Sequence, residues 1–180
     1  MGEGKGAILV ASGPWDPEPW AEAARAIDPG RPVHIWPDLP DPAAVRYLMA
    51  WHPPSEALNG LPNLGVVFSL GAGVEHIVLR DELPDVPIVR IVSPDLTARM
   101  TEWVVLQVLL HHRRQLTYLA QQRAHRWRER SQPVAGDVRV GIMGLGILGR
   151  AAVAPLAGLG FQVAGWSRRP KEVPGIETFS

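Results

Sequence analysis

Cysteine is absent from the 180-residue sequence, which removes disulfides, thiolate catalysis, iron–sulfur clusters and cysteine-ligated zinc while saying little about compartment. An excess of charge of either sign is missing as well. The 18 Lys and Arg residues offset 18 Asp and Glu residues, so no global field draws the chain to nucleic acid or to an anionic membrane. Long apolar runs are lacking, and no stretch approaches the roughly 20 residues that a membrane-spanning helix needs. The opening MGEGKGAILVASGPW carries an apolar run of only about six residues, too short for the core of a signal peptide. These absences predict a soluble, cytoplasmic protein that binds neither membrane nor nucleic acid and has no metal site.

What is present is a core-forming composition, with 46% apolar and 20% charged residues, and an unusual wealth of breakers. The 18 Gly and 18 Pro residues fall between apolar runs, the pattern of short elements joined by tight turns. Ala7 to Ala11, Val33 to Trp36, Tyr47 to Trp51, Val66 to Leu70 and Ile88 to Val92 are short and nearly continuous in apolar character. Strands buried on both faces of a parallel sheet read this way. Between the first two lies PEPWAEAARAIDPG, with Trp20, Ala23, Ala24 and Ile27 at helical spacing and a Pro-Gly stop. After Leu70 a glycine turn leads into the short helical pattern of GAGVEHIVLRDEL. A small, open, doubly wound α/β sheet is predicted for the front of the chain.

From Thr97 to about Arg128 the period lengthens to three or four residues through Met100, Trp103, Val104, Leu106, Gln107, Leu110, Arg114 and Leu119, with no Gly or Pro to interrupt it. One long helix is predicted, longer than the front sheet needs and suited to bridging two lobes. Its end, RRQLTYLAQQRAHRWRERS, is the one basic run. It reads as a solvated helix terminus whose Arg residues suit the macrodipole, not as a nucleic-acid surface.

The segment VRVGIMGLGILGRAAVAPLAGLGFQVAGWSRR carries the sharpest signal. Gly144, Gly146 and Gly149 form G-x-G-x-x-G directly after the apolar run Val138 to Met143 and directly before a helical stretch from Ile147 to about Leu159. A second apolar run, Phe161 to Trp166, follows. The glycines thus stand at the first turn of a β-α-β unit, where a dinucleotide pyrophosphate meets backbone N–H groups at a helix N-terminus. The candidate cofactor-binding residues are Gly144, Leu145, Gly146, Ile147, Leu148 and Gly149. In such a unit an Asp or Glu at the end of the second strand would bind the ribose hydroxyls of NAD. That carboxylate is missing here, and Ser167, Arg168 and Arg169 stand in its place. A hydroxyl and two guanidinium groups suit a 2′-phosphate, so NADP(H) is expected to be preferred over NAD(H). Pro155 inside the following helix predicts a kink.

Taken together, WHPP, GAGVEHI, a helix opening with MTEW, and GIMGLGILG followed by WSRR resemble the D-isomer-specific 2-hydroxyacid dehydrogenases, with the strongest likeness to the glyoxylate/hydroxypyruvate reductase A branch. The resemblance runs from about Ala7 to Ser180. It implies an α/β fold with a flavodoxin-like N-terminal lobe for substrate (1–96), an inter-lobe helix (97–130) and the first β-α-β of a Rossmann dinucleotide-binding lobe (137–180). It implies reduction of a small 2-oxo acid, such as glyoxylate or hydroxypyruvate, by NADPH, in a parent enzyme that is a homodimer. The turn Gly71, Ala72, Gly73, Val74 would present N–H groups to the substrate carboxylate, an anion nest in chemical terms. Trp51 would line the same site and shape it against bulky substrates, and Met100 and Thr101 would lie near the nicotinamide. The resemblance treats His52 and His76 as structural or peripheral. It places the catalytic Arg, Glu and His beyond Ser180, so no catalytic residue is assigned. The chain is then expected to be a fragment, inactive alone and with apolar surface around Ile142, Leu156 and Val163 left uncovered. The alternative is a non-catalytic dinucleotide-binding or interaction module completed by a partner chain.

Overall fold

The computed structural model describes residues 5–80 and 83–180. Asp81 and Glu82, at the end of the GAGVEHIVLRDEL pattern, lie outside the described residues. The chain divides into two compact units, the first ending at Val92 and the second beginning at Ser93.

The first unit alternates strands and helices: β1 (Ala7–Ala11), α1 (Glu18–Ile27), β2 (Val33–Ile35), β3 (Val45–Ala50), α2 (Ser55–Asn59), β4 (Val66–Ser69), α3 (Glu75–Val78) and β5 (Ile88–Arg90). All five strands are parallel, in the order β2-β1-β3-β4-β5, which is the flavodoxin-like arrangement of a doubly wound sheet. Leu9, Leu48 and Val67 stand side by side in register. All three are fully buried, packed with Ala57 and Leu58 of α2 and Ile77 of α3.

The other face of this sheet departs from the expectation of strands buried on both sides. Its row Val10, Met49, Phe68, Val89 leads from a buried Val10 to Phe68 and Val89, which are 36% and 44% exposed. Trp20 of α1 borders this open groove, and α1 buries Ala21 while leaving Ile27 exposed. The helical stripe expected through Ile27 therefore runs through Ala21 instead.

The second unit contains α4 (Pro94–His112), α5 (Gln115–Arg123), β6 (Arg139–Met143), α6 (Ile147–Gly158), β7 (Gln162–Trp166) and β8 (Glu177–Phe179). The single long helix expected from Thr97 to Arg128 is in fact two. Ser93 caps α4 by accepting from the Leu96 N–H at 3.3 Å, and the helix stops where Arg114 turns left-handed at φ 51°. Such a residue without glycine costs roughly 1–2 kcal/mol. The reason for the stop is packing. Val104, Val105, Val108 and Leu109 pack against the α6 core, and His112 meets Phe161 edge-on at 4.9 Å. Beyond His112 come Arg113, Arg114 and Gln115, which have nothing to bury.

That packing also corrects the expectation of uncovered apolar surface. Leu156 is fully buried, and Ile142 and Val163 are partly buried against the same cluster, because α4 covers α6. A further correction concerns the sheet. Beyond the β6-α6-β7 unit, a third parallel strand, β8, pairs with β7 through Ala164–Glu177, Gly165–Thr178 and Trp166–Phe179. The order is β6-β7-β8, a three-stranded parallel portion of a Rossmann arrangement. Helix α6 is continuous through Pro155, whose carbonyl accepts from the Leu159 N–H at 3.1 Å.

Candidate functional site

The glycine turn between β6 and α6 is shaped by three different needs. Gly144 has φ 104°, a conformation that side chains rarely tolerate, and its N–H donates to the Trp166 carbonyl of the neighbouring strand at 2.8 Å. At Gly149 the need is closeness, since a Cβ would stand 1.9 Å from the Gly144 carbonyl oxygen. Gly146 is the reverse case. A Cβ there would meet nothing within 4 Å, so the turn faces open space at the point where α6 begins. Gly146 offers no side-chain cap, and the first N–H groups of α6, from Ile147 to Gly149, have no partner within the helix. Leu145 is fully buried, seated over Gly165, where a Cβ would meet its Cδ2 at 2.6 Å. Ile147 is 39% exposed and Leu148 half-buried. An open cradle of free N–H groups at a positive helix end fits a pyrophosphate.

The loop after β7 lies beside this turn. Ser167 is buried; its N–H donates to the Phe179 carbonyl at 3.0 Å and its hydroxyl to the Arg169 carbonyl at 2.7 Å. Arg168 and Arg169 are exposed, and neither guanidinium makes a hydrogen bond or ion pair among the described residues. Lys171, which the sequence did not single out, reaches back so that its ammonium donates to the Leu145 carbonyl at 3.1 Å. Arg168, Arg169 and Lys171 thus follow β7 closely in sequence with no carboxylate before Glu172, a run that suits a phosphate monoester better than a bare ribose.

In the first unit the carboxyl ends of β1, β3 and β4 bring a second group together. The Ser69 hydroxyl donates to the Gly73 carbonyl at 2.8 Å, with the Gly71 carbonyl farther at 3.2 Å, and accepts from the Gly71 N–H at 3.3 Å. With those carbonyls drawn to Ser69, the N–H groups of Ala72, Gly73 and Val74 make no hydrogen bond among the described residues. The Glu75 carboxylate folds back beside them, since a Cβ on Gly73 would meet its Oε2 at 2.4 Å. Trp51 lies directly on this turn, stacked on Trp15 at 4.3 Å with ring planes 8° apart. His52 and His76 complete the cluster, at 5.0 and 4.4 Å from the Trp51 ring and 4.9 Å from each other.

His76 is half-buried, and its Nε2 is screened from solvent without a hydrogen-bond partner. Burial lowers its pKa from the ordinary value. The Ala50 backbone hydrogen bond opposes that shift, the His52 charge adds to it, Glu75 opposes it and Arg80 adds to it. Trp15 and Ser69 went unnoticed in the sequence. Their only signal was position, each at or just past the carboxyl end of a strand.

Met100 and Thr101 lie on α4, one turn before the face that packs on α6. The Thr101 hydroxyl donates to the Thr97 carbonyl at 2.8 Å, within its own helix. Among the described residues, no group of three or more His, Asp or Glu side chains is placed to hold a metal ion, and no helix is long and apolar enough to cross a membrane.

Known proteins resemble the chain in both units. The family described as D-isomer specific 2-hydroxyacid dehydrogenase, NAD binding domain, matches residues 105–179. A glyoxylate/hydroxypyruvate reductase A from Enterobacter sp. (strain 638) is 35% identical over 167 residues, which are 89% of this chain and 53% of that protein. Among solved structures, a D-isomer specific 2-hydroxyacid dehydrogenase from Xanthobacter autotrophicus Py2, in complex with NADPH and MES, superposes with a TM-score of 0.90 at 40% identity, covering 97% of this chain and 57% of that one. An NADPH-dependent glyoxylate/hydroxypyruvate reductase from Sinorhizobium meliloti, in complex with NADP and sulfate, gives 0.86 at 44% identity, covering 97% and 56%. The chain therefore spans little more than half the length of these relatives.

Proposed function

The chain belongs to the D-isomer specific 2-hydroxyacid dehydrogenase family, and from that premise we propose that the protein reduces a small 2-oxo acid, of the glyoxylate or hydroxypyruvate kind, to the 2-hydroxy acid, with NADPH preferred to NADH. The observation that carries this reading is the open cradle at Gly146, flanked by the unpaired guanidinium groups of Arg168 and Arg169.

NADPH, when bound, supplies a hydride to the 2-oxo carbon while the carbonyl oxygen takes up a proton. The residues of this chain bind and orient. The N–H groups of Ile147, Leu148 and Gly149 hold the pyrophosphate at the N-terminus of α6. Arg168 and Arg169, with the Ser167 loop, hold the 2′-phosphate. The first unit holds the substrate carboxylate on the Ala72, Gly73 and Val74 amides. Met100 and Thr101 are assigned to the nicotinamide end, and the whole protein is assigned as a homodimer.

The test has two parts. Calorimetric titration of this protein with NADPH and NADH is expected to give tighter binding of NADPH. Loss of nicotinamide absorbance in the whole protein is expected to depend on added glyoxylate or hydroxypyruvate. Tighter NADH binding, or NADPH oxidation indifferent to every 2-oxo acid tried, would overturn the reading.

A further inference from the structure

Trp15 follows β1 at the carboxyl end of the first sheet, the edge at which open parallel sheets receive ligands. An indole in such a loop would ordinarily turn inward or move freely, and this one does neither. It is 41% exposed, yet its backbone is tied to Ser12 and its ring is stacked on a neighbour. The Trp15 backbone N–H donates to the Ser12 carbonyl at 3.0 Å, and the Trp15 backbone carbonyl accepts from the Ser12 hydroxyl at 2.8 Å. Gly13, at φ 54°, brings the loop so near the next strand that a Cβ there would stand 2.7 Å from the Trp51 carbonyl oxygen. The ring itself lies flat on Trp51, at 4.3 Å and 8°. Trp51 in turn is held on Gly71, where a Cβ would meet its ring at 2.1 Å, and against His76 at 4.4 Å. Trp51 is half-buried by these neighbours, and Trp15 is the more exposed member of the stack.

We propose that Trp15 is a specificity-determining residue. It forms with Trp51 a rigid two-ring wall beside the free amides of Ala72, Gly73 and Val74, and restricts the 2-oxo acid to a short side chain. The inference rests on the reductase reading above and deepens it by naming the substrate class the site admits. Stacked indoles present a flat, incompressible surface, because each ring fixes the other and neither can rotate away from an incoming group. An anion seated on the turn meets that surface with its side chain, so a compact acid is accommodated and a branched or aryl one collides. Removing the outer ring opens about the volume of an indole at the edge of the site without touching the amides that hold the carboxylate.

The experiment compares the whole protein with its Trp15→Ala, Trp15→Leu and Trp15→Phe variants, using glyoxylate against 4-methyl-2-oxopentanoate and phenylpyruvate as substrates with NADPH. In Trp15→Ala and Trp15→Leu the ratio of kcat/KM is expected to move by about tenfold or more toward the bulky acids, whereas Trp15→Phe keeps the native preference. The urea midpoint reports on folding of the first unit, NADPH affinity on the second, and the far-ultraviolet exciton couplet of stacked indoles on the pair. That couplet should be present in the native protein and absent from all three variants. If Trp15→Leu binds NADPH normally and leaves the substrate ratio unchanged, the inference is overturned while the reductase reading stands. If the native protein oxidises NADPH with none of the three acids and not with hydroxypyruvate, the reductase reading fails and takes the inference with it.

Discussion

The indole of Trp51 occupies the space that a side chain on Gly71 would need: a Cβ on that glycine would stand 2.1 Å from Cζ3 and 2.8 Å from Cε3 of the ring. Two strand ends far apart in sequence are thereby locked to each other. The glycine at the head of the Gly71–Val74 turn is required by close approach, and no unusual dihedral is involved.

Gly71→Ala should consequently displace Trp51 and loosen the first unit. Forcing a methyl group into a filled contact costs typically about 1–3 kcal/mol. A lower midpoint in urea denaturation is expected, with partial recovery in the Gly71→Ala, Trp51→Leu double variant. An unchanged midpoint would mean that the ring has somewhere else to go.

The three glycines of the second unit should respond differently to one methyl group. Gly149→Ala drives a Cβ into the Gly144 carbonyl oxygen, so both stability and NADPH affinity should fall. Gly146→Ala meets no protein atom within 4 Å, and its stability should change by less than about 1 kcal/mol, the scale of a helix-capping effect. NADPH binding should nonetheless weaken at least tenfold, because the methyl group enters the cradle itself. Thermal melts beside calorimetry would separate the two effects, and equal affinity in Gly146→Ala and the native protein would remove the pyrophosphate from this turn.

Arg168→Ala and Arg169→Ala test the phosphate end. A hydrogen bond to a charged group contributes roughly 1.5–3 kcal/mol, so losing the guanidinium that meets the 2′-phosphate should weaken NADPH binding by about tenfold or more and leave NADH binding nearly unchanged. Affinities measured for both cofactors at low and high salt should show the difference shrinking as salt rises. A parallel loss for both cofactors would place the arginines elsewhere on the dinucleotide.

His76 predicts an acid-sensitive first unit. Burial holds its imidazole below the ordinary pKa, whereas in the unfolded chain it titrates near ~6.5. As the pH falls through that value the unfolded state takes up a proton first. The stabilisation from neutral His76, fully present above ~6.5, is then lost progressively until the pH passes the lowered native value. Urea midpoints at about pH 7.5 and 5.5 should differ more in the native protein than in His76→Asn, with His52 present in both. An equal pH dependence in the two proteins would show that His76 is not the group responsible.

The strands of the first unit, its helices α1 and α3, and the β-α-β unit around Gly144 were legible in the sequence, because apolar runs and glycine spacing are local signals; the short α2 (Ser55–Asn59) carries no such signal and was not anticipated. The candidate site was legible in part. Gly144, Gly146 and Gly149 announced themselves, and the missing carboxylate near Ser167 pointed to the arginines. Features made by distant contacts were not legible. The break at Arg114 follows from where α4 runs out of α6 to pack against, and no Gly or Pro marks it. The coverage of Leu156 depends on Val104, Val105, Val108 and Leu109 arriving from another helix. Strand β8 is only three residues long and follows a loop rich in Pro and Gly, so its identity comes from pairing with β7. The Trp15–Trp51 stack joins loops after two different strands, and neither loop carries a periodic pattern that would reveal it.

The Ser69 hydroxyl, bonded to the Gly73 carbonyl at 2.8 Å, has a kinetic consequence. Its clamp sets the orientation of the Ala72, Gly73 and Val74 amides while the chain folds, so on the proposed assignment of a substrate carboxylate to these amides the ordering entropy of the turn is not charged again when the anion arrives. Encounter should then lead to capture with little waiting for the loop, and different anions should differ chiefly in how long they stay. Without the hydroxyl, as in Ser69→Ala, the amides would have to be gathered at each encounter, and the rate of arrival would join the rate of departure in setting the affinity.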